Sequence, residues 1–396
     1  MNKKKIRIST TWIIMLSFLA AIFVGSILLY LPVSTADGRG VSYLDALFTA
    51  TTATCVTGLV TLPTVSTWSA FGQAVILALI QIGGLGVITV ISGFMIAVHK
   101  KIGFSDRLLL QDAFNLNSLS GIVAFVRKVI IGTFIVEGFG AILYMTVFVP
   151  EFGAKGIWIS VFNSVSAFCN AGIDIIAENS LCNYMTNPVI NLTTILLIIL
   201  GGLGYIVWWD VIRVSAQVRR YGLKAFRRLT LHSKIVLLTT FIFIFGGAVL
   251  IFIFEFGNPL TVGENTLFEK IQFSLFQSVT TRTAGFATVP QENLTNASAM
   301  ISIILMLIGG SPVGTAGGIK TVTVAVLICS ALATIRNKNS ATLFGRQISA
   351  NSVKKSIAVV VTFMTICISS TVFLMATNNV SFIDAIYETV SAAATV

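Results

Sequence analysis

Three glycines recur at almost constant spacing, each closing a short Thr/Ser/Ala-rich segment that lies between two long apolar runs. Gly58 is the next-to-last residue of TCVTGL, Gly172 of FCNAGI and Gly285 of RTAGF, with separations of 114 and 113 residues. A fourth segment, YETVSAAATV (Tyr387 to Val396), falls in the same frame, and the sequence stops one residue before its glycine is due. Each segment is too short and too polar to cross a bilayer, which takes about 20 apolar residues in a helix. A repeat of roughly 113 residues is too long for a solenoid and suits pseudo-symmetric quarters about an axis.

The runs flanking these segments identify their setting. With 55% apolar residues, 10% charged residues and a mean hydropathy of +0.92, the chain has too little polar surface for a soluble globule. Spanning stretches are expected near 11–31, 70–98, 127–149, 189–212, 235–256, 297–335 and 356–377. The first follows Lys3, Lys4, Lys5 and Arg7 but is longer than the apolar core of a signal peptide, so it reads as an uncleaved helix. Lys and Arg gather on alternate connections: four at the N-terminus, five in 99–128, seven in 213–234 and five in 336–355. By the positive-inside rule those connections and the N-terminus are cytoplasmic. The net charge of +11 is therefore topology, with no nucleic-acid partner implied.

The expected fold is all-α and polytopic: four pseudo-symmetric helix, pore-loop, helix repeats around one central pore, the fourth incomplete. The repeats take 1–98, 99–212, 213–335 and 336–396. Short helices near 42–53, 157–167, 267–280 and 381–391 should precede the loops. The span after each of the first three loops carries a related glycine cluster: QIGGLGVIT (Gln81 to Thr89), ILGGLGYIV (Ile199 to Val207) and LIGGSPVGT (Leu307 to Thr315).

Irregular backbone at membrane depth is tolerated only where it is buried or lines water. Inward carbonyls can replace the hydration shell of a cation, glycine permits the backbone angles such a turn needs, and the negative end of each short helix would point at the ion. The candidate ion-binding residues are accordingly Thr54, Cys55, Val56, Thr57 and Gly58; Phe168, Cys169, Asn170, Ala171 and Gly172; Arg282, Thr283, Ala284 and Gly285; and Ala394, Thr395 and Val396. Packing of small residues between helices is the competing reading of any one glycine; three in register favour a pore.

The stretch GGSPVGTAGGIKT (Gly309 to Thr321) interrupts the span 297–335, because Pro312 and its glycines break a helix. Gly309, Gly310, Ser311, Pro312, Gly314, Thr315, Gly317, Gly318 and Lys320 are the candidate gating residues. Its ending is not a phosphate-binding loop, since Ile319 separates glycine from lysine. Lys320 should face water or snorkel to the cytoplasmic edge. Arg282, beside a filter glycine, should brace an acid such as Glu264, Glu269 or Glu388, and Glu137 should pair with a polar group on another helix, with proton coupling as the weaker reading. His99 and His232 read as solvated helix ends beside basic residues. The cysteines show no disulfide framework, and no cluster at catalytic spacing suggests an enzyme. A secondary symporter for Na+ or a small solute is the alternative to a channel-like pore.

The filter sequences TATTATCVTGL, SVSAFCNAGI and SVTTRTAGF, together with GGSPVGTAGGIKT, resemble the Trk/Ktr/HKT superfamily of potassium transporters, most of all the membrane (pore) subunit of the bacterial Ktr system. The resemblance covers essentially the whole chain. It implies potassium uptake across a bacterial plasma membrane, glycine at the filter positions favouring K+, and 309–321 acting as an intramembrane gate. It leaves Na+ open as an activating or coupled ion and implies no covalent cofactor. It also implies a homodimer resting on a cytoplasmic nucleotide-binding regulatory ring. The basic loop 213–234, which its apolar residues would allow to form an amphipathic surface helix, should meet anionic lipid. Against the family pattern, the fourth glycine and the helix after it are missing, on the order of 40 to 50 residues by the repeat period. The expectation is a truncated product or partial record that conducts poorly alone.

Overall fold

The computed structural model describes residues 9–98, 103–114, 120–338 and 340–396. Lys3, Lys4, Lys5, Arg7, His99, Lys100 and Lys101 lie outside the described residues. By contacts the chain divides into two units: residues 1–56, 60–169 and 173–178 form the first, and 57–59, 170–172 and 179–396 the second. This division differs from the repeat frame, and the three-residue stretches Thr57–Leu59 and Asn170–Gly172 group with the second unit.

The first unit contains α1 (Thr10–Tyr30), α2 (Tyr43–Cys55), α3 (Thr64–Thr67), α4 (Ala70–Leu85), α5 (Val87–Ala97), α6 (Phe104–Ala113), α7 (Ile122–Phe152) and α8 (Ala154–Cys169). Within it α2 packs against α1 and α4, and α8 against α7 and α4. The second unit contains α9 (Pro188–Leu203), α10 (Tyr205–Ser215), α11 (Val218–Tyr221), α12 (Leu231–Glu255), α13 (Leu267–Thr280), α14 (Asn296–Leu307), α15 (Thr321–Ile335), α16 (Ala350–Thr377) and α17 (Phe382–Ala394). There α13 packs on α12 and α9, and α17 on α16 and α14. A two-residue hairpin, Thr342–Leu343 with Arg346–Gln347, is the one sheet among the described residues.

Four helices, α1, α7, α12 and α16, are long and apolar enough to cross a membrane without interruption. The expected spans 70–98 and 189–212 are not straight. Their halves, α4 with α5 and α9 with α10, meet at 97° and 98°. Each break is one glycine, Gly86 at φ 82°, ψ 133° and Gly204 at φ 83°, ψ 141°, a conformation that residues with a Cβ rarely adopt. The stretch 297–335 is two short helices, α14 and α15, joined by the expected irregular loop.

The short helices α2, α8, α13 and α17 fall where the repeat frame put them. Three are started by the same chemistry, a hydroxyl N-cap with an acid three residues on. Ser42 accepts from the Asp45 N–H, Thr266 from Glu269 and Ser381 from Asp384. This Ser/Thr-x-x-Asp/Glu signal is present in the sequence at all three sites.

The basic stretch 213–234 is not one amphipathic helix. It breaks into the single turn α11 and a 3-10 segment, Gly222–Arg228. Local partners hold it: Arg213 pairs with Asp210, Arg228 lies over the Tyr221 ring at 3.8 Å, and Lys234 Nζ donates to the Arg227 carbonyl. Asp210 also accepts from the Thr230 N–H at 2.8 Å, fixing the end of α10 to the start of α12. His232 is half-buried, not solvated, and its Nε2 has no hydrogen bond.

Candidate functional site

Every short helix ends the same way. The residue two before the glycine position adopts left-handed backbone: Val56 at φ 56°, Asn170 at 59°, Thr283 at 70° and Thr395 at 63°. Only Asn170 is a residue type that favours this region; for β-branched Val and Thr it costs about 1–2 kcal/mol each. Strain repeated in four frames marks a geometry that the surrounding packing imposes. The glycines that follow are also left-handed, Gly58 at 81°, Gly172 at 64° and Gly285 at 81°.

In the second unit these residues come together in repeat order. A Cβ placed on Gly58 would lie 2.8 Å from the Ala171 carbonyl oxygen. One on Gly172 would lie 2.5 Å from the Ala284 oxygen, and one on Gly285 2.9 Å from the carbonyl carbon of Val396. Each glycine thus faces the backbone of the residue just before the next repeat's glycine position. No side chain fits at any of the three, so close backbone approach as well as positive φ requires glycine there.

Hydroxyls at the helix ends hold two of the turns. Thr280 Oγ1 donates to the Phe286 carbonyl at 2.6 Å, and Ser166 Oγ donates to the Ile173 carbonyl. Both accept the role of fixing the residue after the glycine, Phe286 and Ile173 respectively. Some candidate side chains point elsewhere. Cys55 is exposed, and the buried Cys169 thiol lies 4.0 Å from Gln81 Oε1 and from Glu137 Oε1. Glu137 accepts from Gln81 Nε2 at 3.4 Å, the interhelical polar contact expected of it, and Ser164 Oγ donates to its main-chain carbonyl.

The loop 308–320 is bound to the broken helix of the second repeat. Gly201 and Gly202, in the last turn of α9, have carbonyls that the break at Gly204 leaves without helical partners. The Ser311 N–H donates to the Gly202 carbonyl at 2.9 Å and the Thr315 N–H to Gly201 at 3.2 Å. In return the Tyr205 N–H, first of α10, donates to Val313 at 3.0 Å. Two irregular segments satisfy each other's backbone, as a water-poor setting requires. Small residues make the approach feasible: a Cβ on Gly204 would sit 2.6 Å from the Pro312 oxygen, and one on Gly314 2.9 Å from that of Gly201.

The two cations of this region bind carbonyls. Arg282 is buried, and its Nη2 donates to the Gly309 carbonyl at 3.1 Å. The expected acidic brace is absent: Glu264 and Glu388 are exposed, and Glu269 is engaged in capping α13. A backbone carbonyl serves instead because it lies where the loop begins. Lys320 turns its ammonium into the loop, onto the carbonyls of Ala316 and Gly317 at 2.5 and 3.5 Å, instead of outward.

The fold defines a multi-pass helical membrane protein whose irregular, glycine-dependent backbone is gathered beside interrupted helices. A family model described as TrkH, cation transport protein, matches residues 3–396, and the chain belongs to that family. It is therefore a transporter and not an enzyme. It is 37% identical over 96% of its length to the potassium/sodium uptake protein NtpJ of Enterococcus hirae, covering 82% of that protein. It is 34% identical to the Ktr system potassium uptake protein B of Bacillus subtilis, over 99% of this chain and 86% of the relative. Among solved structures, the potassium transporter TrkH of Vibrio parahaemolyticus superimposes with a TM-score of 0.73 at 14% identity, over 96% of this chain and 74% of that one. At that identity the likeness concerns the fold.

Proposed function

We propose that this protein mediates potassium uptake through a channel-like pore whose selectivity filter is the glycine ring. Its carbonyl-bearing residues are Thr54 to Gly58, Phe168 to Gly172, Arg282 to Gly285 and Ala394 to Val396, one set from each repeat. The observation that carries this reading is the register of the ring: three successive glycines face the preceding-residue backbone of the next repeat, with no room for a side chain. Such a ring presents backbone carbonyls as ligands, the chemistry that replaces a potassium hydration shell. The C-terminal ends of α13 and α17 add negative potential there. The names of relatives point the same way, one being a potassium/sodium uptake protein and another a Ktr system potassium uptake protein. On this reading Na+ is a coupled or activating ion, and the loop 309–321 is the gate. The working assembly is a homodimer with a cytoplasmic nucleotide-binding regulatory subunit. The N-terminus and the basic stretch 213–234 face the cytoplasm, the latter against anionic lipid.

Rubidium uptake by potassium-uptake-deficient cells making this chain with a Ktr-type cytoplasmic subunit tests the proposal. Uptake should be inhibited by K+ far more than by Na+. Gly172→Ser, which forces a side chain against the Ala284 carbonyl, should reduce uptake at least about tenfold or erase the preference for K+. Uptake indifferent to K+ in the unmodified protein would overturn the reading.

A further inference from the structure

Two of the residues at the second position before the filter-glycine position share a further feature beyond their backbone. In the third and fourth repeats they touch the loop. The Gly317 N–H donates to Thr283 Oγ1 at 3.2 Å. Gly317 also packs on the fourth repeat: a Cβ added to it would overlap Thr395 Oγ1 and come within 2.7 Å of the Ala394 carbonyl. In the second repeat the Asn170 amide, 1% exposed, lies 3.5 Å from where a Cβ on Gly202 would be, and Ala316 Cβ 3.6 Å from that same point. Thr283 itself is fully buried. The loop is thus seated at Ala316–Gly317 against side chains carried by the strained turns of the filter.

We propose that Thr283 and Thr395 are positioning residues that latch the loop closed, so that filter and gate share one set of residues. The inference rests on the pore reading above. The left-handed turn before the third filter glycine presents the Thr283 hydroxyl to the loop, that of the fourth repeat places Thr395 beside Gly317, and the bare Cα of Gly317 lets the loop come close enough to donate its N–H. Moving the loop away breaks that bond and removes the contact with Thr395. The residues just after two filter glycines, Phe286 and Ile173, are held separately by Thr280 and Ser166, and moving the loop breaks neither bond. The latch uses the Thr283 hydroxyl and the filter uses carbonyls, so latch strength and ion preference rest on different atoms. Removing the Thr283 hydroxyl strands the Gly317 N–H only in the closed state, and so biases the equilibrium toward the open one.

The test is rubidium uptake into potassium-uptake-deficient cells making the chain with a Ktr-type cytoplasmic subunit, compared with Thr283→Val, Thr283→Ser and Gly317→Ala, each checked for membrane yield and for a single peak on gel filtration in detergent. Thr283→Val should raise uptake by about tenfold, the size of a shift caused by one stranded buried N–H, with inhibition by K+ and Na+ unchanged. Thr283→Ser, which keeps the hydroxyl, should raise uptake far less than Thr283→Val, and Gly317→Ala should act as Thr283→Val does. Well-folded Thr283→Val protein with unmodified uptake would overturn the latch, as would a change in ion preference, which would place the hydroxyl in the filter. Uptake by the unmodified chain that ignores K+ would instead sink the pore reading beneath it.

Discussion

The first two repeats and the third build the same stretch of chain differently. After a Gly-Gly pair, the first two read Leu-Gly, at Leu85–Gly86 and Leu203–Gly204, and the third reads Ser311–Pro312. The first two bend sharply at the single glycine and resume a helix at the next residue. The third does not resume until Thr321. Backbone chemistry accounts for the contrast. The bend requires φ near +82°, open to glycine and closed to proline, whose ring fixes φ near −65°. With proline at the hinge position the chain cannot turn and restart, so it opens into a loop whose polar backbone must find partners elsewhere. It finds them on the second repeat's own break and on two cations. A bend supplies a rigid corner, while a loop held by replaceable hydrogen bonds is the part for which movement is proposed.

The largest effect should come from filling the corners. Gly204→Ala and Gly86→Ala carry the same backbone strain, roughly 1–3 kcal/mol. They differ in surroundings: a Cβ at 204 would meet the Pro312 carbonyl at 2.6 Å, whereas at 86 the nearest atom is Thr89 Oγ1 at 3.8 Å. Gly204→Ala should abolish uptake and lower the melting temperature in detergent, while Gly86→Ala should lower melting by less and keep measurable transport. Equal losses in the two variants would mean that the loop does not lean on the second corner.

A smaller effect, confined to the loop, is expected from Lys320→Met. The Ala316 and Gly317 carbonyls lose an ammonium donor, and a hydrogen bond to a charged group contributes about 1.5–3 kcal/mol. Basal rubidium uptake should rise about fivefold or more with little change in melting, since neither corner is affected. A fall in both would make Lys320 a part of the scaffold.

Much of this contrast was legible in the sequence, for reasons that particular residues show. Hydropathy located α1, α7, α12 and α16, because an uninterrupted apolar helix has one meaning in a membrane. The glycine period picks out Gly58, Gly172 and Gly285, each of which meets the backbone of the next repeat, and Pro312 announces the loop. The corners at Gly86 and Gly204 look like straight spans in the sequence: a glycine in an apolar run signals close packing as readily as a bend, and only φ distinguishes them. The left-handed turns at Val56, Thr283 and Thr395 carry no local signal at all, since β-branched residues disfavour what tertiary packing imposes there. A sequence displays ionisable side chains and hides carbonyls, which points Arg282 toward an acid; the Gly309 oxygen becomes visible only once the loop is folded.

The smallest effect tests the corner of the first repeat, where the anchoring group is a carboxyl and not a cation. Glu137 on α7 accepts from Gln81, one turn before the Gly83–Gly84 pair, and its other oxygen lies by the Cys169 thiol. If this contact only ties α4 to α7 and α8, a side chain of the same shape that still offers an oxygen should serve. Glu137→Gln is therefore expected to leave rubidium uptake within about twofold, the scale of one neutral hydrogen bond, and to leave its pH profile unmoved. Glu137→Ala, which strips the partner from Gln81, should lower the melting temperature further than Glu137→Gln. A Glu137→Gln protein that folds normally but loses uptake would show that the proton itself matters, and would turn the first corner from a rigid support into a site coupled to transport.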